Sequence, residues 1–265
     1  MTAEVISAYD ATGSAWQQGP GRIYYKLAAV VVERVGVLDA TSLVLDLGAG
    51  TGAATRAIRR TGARVVALDA ALGMLACGSS DAVSCVGDAN RLPFTDGVFS
   101  AVIAAFSLNH LATPAIAMRE AARVTVDRGT IVVSAYAVDD DHPAKNAVDD
   151  AARAAGWAQP SWYDELRRDA MPQLSTVDRA IEVANRAGLT NASAEVVRIA
   201  FSELTPDDLV AWRLGMAHLA PFVNSLDPDR RSRLWRDARE RTTGMPTLVR
   251  SIVVLKAGGA SSQAS

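Results

Sequence analysis

The chain has 265 residues, of which 49% are apolar and 21% charged, with a formal net charge of −2. This is the make-up of a globular protein able to bury a sizeable core. The near-neutral balance gives no electrostatic footprint for nucleic acid or an anionic membrane, so neither is an expected partner. The two cysteines, Cys77 and Cys85, and the three histidines, His110, His142 and His218, fit neither a zinc spacing nor a redox pair, and no metal is expected. There is no apolar run long enough to span a membrane and no basic-then-apolar leader, so a cytoplasmic protein is expected.

Residues 1–40 read as a helical lead segment. Tyr9, Asp10 and Trp16 fall in a polar stretch, and Gly19-Pro20-Gly21 signals a turn. Apolar residues then recur at helical spacing from Ile23 to Val35, with Gly36 as the stop. From residue 41 strands and helices alternate. Strands are expected over 42–47, 64–69, 83–87, 98–106 and 130–136, and helices over 51–60, 70–77 and 113–125. Thr113 suits an N-cap, with Pro114 at the first helical position, where a missing N–H costs nothing. Cys85 falls on a strand expected to be buried and reads as a packed free thiol.

Past Tyr136 the alternation stops. Residues 137–174 read as a helical insertion that caps the core, and His142, in an acidic loop, as solvated. The core resumes over 175–256, with a helix opened by a Ser175-x-x-Asp178 box and stopped by Gly188. A strand over 194–201 follows, then a second helical insertion at about 205–244 with starts at Thr205-Pro206 and Asp227-Pro228, then a strand over 248–255. Residues 257–265 are small and polar, a frayed tail. The expected fold is α/β: a Rossmann-like, seven-stranded, mostly parallel sheet with helices on both faces and a helical cap. Ligands of such sheets bind beyond the carboxyl ends of the strands. All five tryptophans lie outside 41–136. They either pack the insertions onto the sheet or form an aromatic lid over a substrate.

The most informative stretch is Val44-Leu45-Asp46-Leu47-Gly48-Ala49-Gly50-Thr51-Gly52. An apolar strand breaks into a glycine turn and opens a helix, which aims free backbone N–H groups at a ligand. Gly48, Gly50 and Ala53 also satisfy the dinucleotide pattern G-x-G-x-x-G/A, with Asp69 near the distance of a ribose-binding acid. Two features weigh against a dinucleotide. Asp46 lies inside the strand end, where such sites are usually apolar, and a third acid, Asp88, follows the next strand. Three strand-end acids around one glycine turn suit a ligand with an amine, a ribose diol and an adenine amine.

These segments come in a particular order. Asp46-Leu47-Gly48-Ala49-Gly50-Thr51-Gly52 is followed by Ala67-Leu68-Asp69 with Met74, then Gly87-Asp88-Ala89 with Leu92-Pro93-Phe94, then Glu120 to Val124 before Gly129. In that order and spacing they resemble the successive motifs of class I S-adenosylmethionine-dependent methyltransferases, and most closely the ubiquinone and menaquinone C-methyltransferase group. The resemblance covers about residues 41–136.

The resemblance implies that S-adenosylmethionine is the cofactor and S-adenosylhomocysteine the product, with a methyl group passing to an O, C or N atom of a small, fairly apolar acceptor. It implies that Gly48, Ala49, Gly50 and Gly52 let the chain approach the methionine part and the ribose. Asp46 would lie near the amino group, and Asp69 would accept from both ribose hydroxyls. Ala70, Leu72 and Met74 would flank the adenine, Asp88 and Ala89 would read its edge, and Phe106 would close strand four beside the methyl. Arg22 or Tyr24 would border the cofactor's carboxylate. His110 and His218 are candidate bases. Asp46 and Asp69 can equally cap backbone N–H groups, and Asp88 can bond its own turn. Three other functions remain open: an S-adenosylmethionine-binding enzyme catalysing cyclisation, decarboxylation or isomerisation, an NAD(P)-binding oxidoreductase, and a non-catalytic protein with an occupied cofactor site. A monomer or a homodimer is expected.

Overall fold

The structure, a computed structural model, describes residues 1–78 and 82–258. Its centre is one seven-stranded sheet in the order β3-β2-β1-β4-β5-β7-β6. β1 (Leu43–Leu47), β2 (Arg64–Asp69), β3 (Val83–Val86), β4 (Phe99–Ala105) and β5 (Thr125–Tyr136) run parallel. β7 (Leu248–Gly258) is antiparallel both to β5 and to the edge strand β6 (Thr190–Phe201). The expected Rossmann-like, mostly parallel sheet is therefore present. β1 lies between β2 and β4, so the winding direction reverses there and leaves a crevice at the carboxyl ends of these three strands.

Burial explains why β1 reads as an unbroken apolar run. Val44, Leu45 and Leu47 are all fully buried, but alternate residues enter opposite layers. Leu45 and Leu47 meet one layer, in which α6 (Pro114–Val124) and α9 (Val177–Arg186) supply Met118, Ala121, Val183 and Ala184. Val44 meets the other, built from Leu27 and Val31 of α3 (Gly21–Glu33) and Ile58 of α4 (Ala53–Arg59). Asp46 shares Val44's parity, and so faces α4.

The insertions join each other. α7 (Pro143–Ala154) packs with α10 (Pro206–Leu214) and α12 (Pro228–Thr242) around Val148, Trp157, Val210, Leu214 and Leu234. Asp149 and Arg213 are tied across this core by two bonds of 2.7 Å. Between these helices lie α8 (Ser161–Glu165), a π-helical turn at Leu166–Ala170, a 3-10 turn at Met171–Leu174, and α11 (Ala220–Ser225). Among the described residues no helix is long and apolar enough to cross a membrane.

Several expectations are corrected. The polar stretch before α3 is itself helical, in two elements that the sequence did not place individually: α1 (Ala3–Asp10) and α2 (Gly13–Gln18). β3 is an edge strand whose valines face outward, so Cys85 is half-buried rather than packed inside. Thr176, not Ser175, caps α9, accepting from the Arg179 N–H. β5 and β6 each begin four or five residues earlier than the pattern suggests, as ladder pairing extends them beyond their apolar cores. His142 is buried, not solvated: it caps α7 by accepting the Ala144 N–H on Nδ1, and its Nε2 lies 3.1 Å from the Pro246 carbonyl. Ala257 and Gly258 belong to β7, and the rest of the proposed tail lies outside the described residues.

Candidate functional site

The turn after β1 has backbone angles that favour glycine. Gly48, Gly50 and Gly52 have φ of 75°, 55° and 82°. A Cβ on Gly48 would overlap the Ser107 side chain, and one on Gly50 would come 3.3 Å from Met74 Cε. The turn is fixed from both neighbouring strands. The N–H groups of Gly48 and Ala49 donate to the Leu68 carbonyl of β2 at 2.7 and 2.9 Å. Ser107, just past β4, donates its hydroxyl to the Leu47 carbonyl at 2.6 Å.

Three carboxylates stand around this turn. Asp69 ends β2 and accepts the Gly50 N–H on Oδ2 at 2.8 Å and the Ala71 N–H on Oδ1 at 2.9 Å. Each oxygen keeps a further lone pair. Burial raises its pKa above the ordinary 3.8, against those two bonds, which lower it. Asp46 is only 1% exposed and accepts the Thr55 hydroxyl at 2.6 Å. Burial pushes its pKa up to about 7. Asp88 is exposed at the mouth, where it accepts the Asn90 N–H at 2.9 Å in an Asx turn.

These groups line one cavity of about 430 Å³, a size that suits a nucleoside-like ligand. Asp46, Gly48, Ala49, Gly50 and Asp69 lie along it, as do Ala70, Met74, Asp88 and Ala89. Its other wall is aromatic. Ring centroids are 5.7 Å apart for Tyr9 and Trp16, 4.9 Å for Trp16 and Tyr24, and 5.3 Å for Tyr24 and Phe106. Phe106 holds a left-handed φ of 59°, unusual for a bulky residue and of the kind found at functional sites. His110 completes the wall, its Nε2 3.4 Å from the Tyr9 hydroxyl. Burial lowers its pKa to about 4, so it is neutral at pH 7.

Some expected residues lie elsewhere. Gly52 does not line the cavity; it caps α4 in the left-handed conformation. Arg22 points away and pairs with Asp208. Leu72 is 63% exposed on the outer side of α5 (Leu72–Ala76). His218 stacks on Tyr163 at 3.8 Å and borders a different, shallower cavity with Trp157 and Trp162. The aromatic lid from the insertions is therefore not what covers this cavity. Of the five tryptophans only Trp16 lines it, and α1 supplies the cover through Ile6 and Tyr9. Tyr9, Trp16 and Ser107 line the cavity and Thr55 holds Asp46, and the sequence reading assigned none of them to the site. The Thr2 cap marks the start of α1, the helix that carries Tyr9, whereas Trp16 lies on the separate α2 and has no such signal. The Thr55 and Ser107 contacts carry no local signal.

Comparison with known proteins relates the chain to methyltransferases. Residues 45–133 match the family of methyltransferase domains. Demethylmenaquinone methyltransferases are similar over 133 residues, half of this chain: that of Mycolicibacterium vanbaalenii is 38% identical, with 57% of its length covered, and that of Mycobacterium tuberculosis is 41% identical, with 55% covered. The chain thus spans little more than half the length of these curated relatives. Among solved structures, phosphoethanolamine N-methyltransferase 2 of Haemonchus contortus superposes with a TM-score of 0.59 at 17% identity, over 97% of this chain and 57% of that one. A methyltransferase described as putative, from Bacillus halodurans, superposes with a TM-score of 0.55 at 18% identity, over 88% and 99%. Residues 45–133 are thus similar to the methyltransferase domain family, and the sheet that carries them has the fold of these solved methyltransferases.

Proposed function

We propose that this chain is an enzyme that binds S-adenosylmethionine in the cavity at the end of β1 and transfers its methyl group to a small, fairly apolar acceptor. The observation that carries this reading is the convergence of a side-chain-free glycine turn and the Asp69 carboxylate on one cavity. The residues fit that cofactor. Any Cβ at Gly50 would press on Met74 and fill the cradle. Asp69 has lone pairs to spare for two ribose hydroxyls. Asp46 is a buried acid that an incoming ammonium group would ionise. Asp88 and Ala89 stand at the mouth for the adenine edge, and Met74 flanks it. Tyr24 borders the methionine end without the help of Arg22.

When bound, the cofactor supplies a methyl group already activated by its sulfonium, so the protein's part is alignment and exclusion of water. Tyr24, Phe106 and Trp16 build the water-excluding wall. His110 offers a neutral Nε2 beside the Tyr9 hydroxyl, where a proton can be taken from an acceptor. Asp46 inside the strand end argues against an oxidoreductase that binds NAD(P), and nothing in the cavity favours cyclisation, decarboxylation or isomerisation over methyl transfer. A cytoplasmic location belongs to the same proposal, as does the lack of a nucleic-acid partner, which the near-neutral charge supports.

Calorimetric titration tests it. S-adenosylmethionine and S-adenosylhomocysteine should bind and NAD should not, and Asp69→Ala should weaken binding by about 1–3 kcal/mol. Tight NAD binding alone, or an unchanged affinity in the variant, would reject the reading. Formation of S-adenosylhomocysteine during turnover separates methyl transfer from the non-methylating reactions.

A further inference from the structure

α1 lies between two cavities. On one side Ile6 and Tyr9 face the cavity at the end of β1. On the other, Glu4, Ser7 and Ala8 border the second cavity, of about 480 Å³, whose far wall carries Trp157, Trp162 and Phe222. A helix with space on both sides has few fastenings. Val5 is its one buried side chain, set among Trp162, Leu166, Ala170 and Ala217. Asp10 latches its carboxyl end at the surface by accepting the Gly73 N–H at 2.6 Å, and the Tyr9 hydroxyl meets His110 Nε2 at 3.4 Å. α2, by contrast, is anchored, because Gly13 lies against Gly73 with no room for a Cβ. Resting on the reading that the inner cavity holds S-adenosylmethionine, we propose that α1 is a door for the acceptor: it swings on Ala11 and Thr12 into the second cavity, admits the acceptor to the methyl end, and shuts over it.

The route follows from what the cofactor leaves open. The inner cavity, about 430 Å³, is toward the small end of ligand pockets, which run from ~300 to ~1,000 Å³, so the cofactor fills most of it. Its adenine stands at the mouth beside Asp88 and Ala89 and closes that way in. The methyl end is enclosed by Tyr24, Phe106 and α1. Tyr24 is fixed, since α3 packs on the sheet through the fully buried Ile23, Leu27 and Val31, and Phe106 ends a central strand. α1 is the part of the enclosure able to yield. It is eight residues long, too short to persist by propensity, and one buried side chain puts it at the low end of local stability. The space on its outer side lets it move without displacing packed side chains. Closure returns Ile6 and Tyr9 to the wall and excludes water while the methyl group moves.

The test measures passage to the fixed wall beneath the door. Leu111, just past His110, lines the inner cavity and is 5% exposed. Leu111→Cys, made in a chain carrying Cys77→Ser and Cys85→Ser, gives a single thiol there, and N-ethylmaleimide is a small, largely apolar probe of entry. In the full chain saturated with S-adenosylhomocysteine, the thiol should still be labelled. Adding Asp10→Ala, which removes a hydrogen bond to a charged group, should raise the rate by about tenfold or more. Adding Ala158→Trp instead, which fills the space that α1 moves into, should lower the rate several-fold. Labelling that S-adenosylhomocysteine abolishes, no labelling at all, or a rate indifferent to either substitution would overturn the proposal. Failure of S-adenosylhomocysteine itself to bind would instead overturn the cofactor reading, and calorimetry shows that separately.

Discussion

Asp46→Asn should make the ligand-free protein more stable than wild type at neutral pH, by a margin that vanishes near pH 4. Asp46 is 1% exposed, and burial carries its carboxyl from 3.8 to about 7. Between those values the folded chain holds a proton that the unfolded chain has released. The neutral acid's contribution is therefore complete below 3.8 and is lost as pH rises through 7. At about 1.4 kcal/mol per pH unit the whole loss is at most about 4 kcal/mol. Asparagine keeps an oxygen for the Thr55 hydroxyl and carries no charge, so it lacks this slope. His110 works in the opposite sense. Burial lowers it from 6.5 to about 4, so its neutral form stabilises the fold above 6.5 and that stability is lost as pH falls through 4, about 3 kcal/mol in all. The two slopes overlap and oppose each other, so the wild-type curve alone hides both. Urea denaturation of wild type and variant from pH 4.5 to 8 supplies the readout, the difference between them. That difference should grow with pH by several kcal/mol. A flat difference would refute the desolvation argument. On the proposed function the stability should come at the expense of cofactor affinity, because the variant lacks the charge proposed to meet the cofactor's ammonium group.

Four further substitutions probe the scaffold and the limits of the site. Gly48→Ala should cost more than about 2 kcal/mol in urea denaturation, combining left-handed strain of about 1–2 kcal/mol with the overlap on Ser107. Adding Ser107→Gly should recover the overlap but not the strain, and no recovery relative to Ser107→Gly alone would show that the overlap is not the cause. Arg213→Met should destabilise by about 3–5 kcal/mol, because it leaves Asp149 charged and unpaired inside the cap. A thermal midpoint unchanged in that variant would mean the pair is not buried in solution. Arg22→Ala should leave S-adenosylmethionine affinity within about twofold, since the side chain faces Asp208 outside the cavity; a large loss by calorimetry would return it to the cofactor site.

Much of the core was legible because its signals are local. β1, β2 and β4 are mostly apolar and largely buried, and Asp46, Asp69 and Phe106 stand at or just beyond their carboxyl ends. The positive-φ turn could be read from its glycines. The lead segment was harder because α1 and α2 are eight and six residues long, too short to persist by propensity. They are held by docking: the Gly73 N–H donates to Asp10 Oδ1 at 2.6 Å, and neither Gly13 nor Gly73 has room for a Cβ. His142 looked solvated in its acidic run, yet Pro143 at a helix's first position already placed it at a cap. Arg22, Tyr24 and Tyr25 share one helix, and only the packing of α3 on the sheet decides that Tyr24 turns inward and Arg22 outward. His110 and His218 look alike in sequence; their separation into two cavities follows from the path of the insertions.

A crystal structure of the chain with S-adenosylhomocysteine tests the central claim most directly. The account predicts both ribose hydroxyls on the Asp69 carboxylate, the adenine between Met74 and the Asp88–Ala89 edge, and the sulfur facing the wall of Tyr24 and Phe106. A nucleoside bound elsewhere, or bound in the cavity with its ribose out of reach of Asp69, would contradict it.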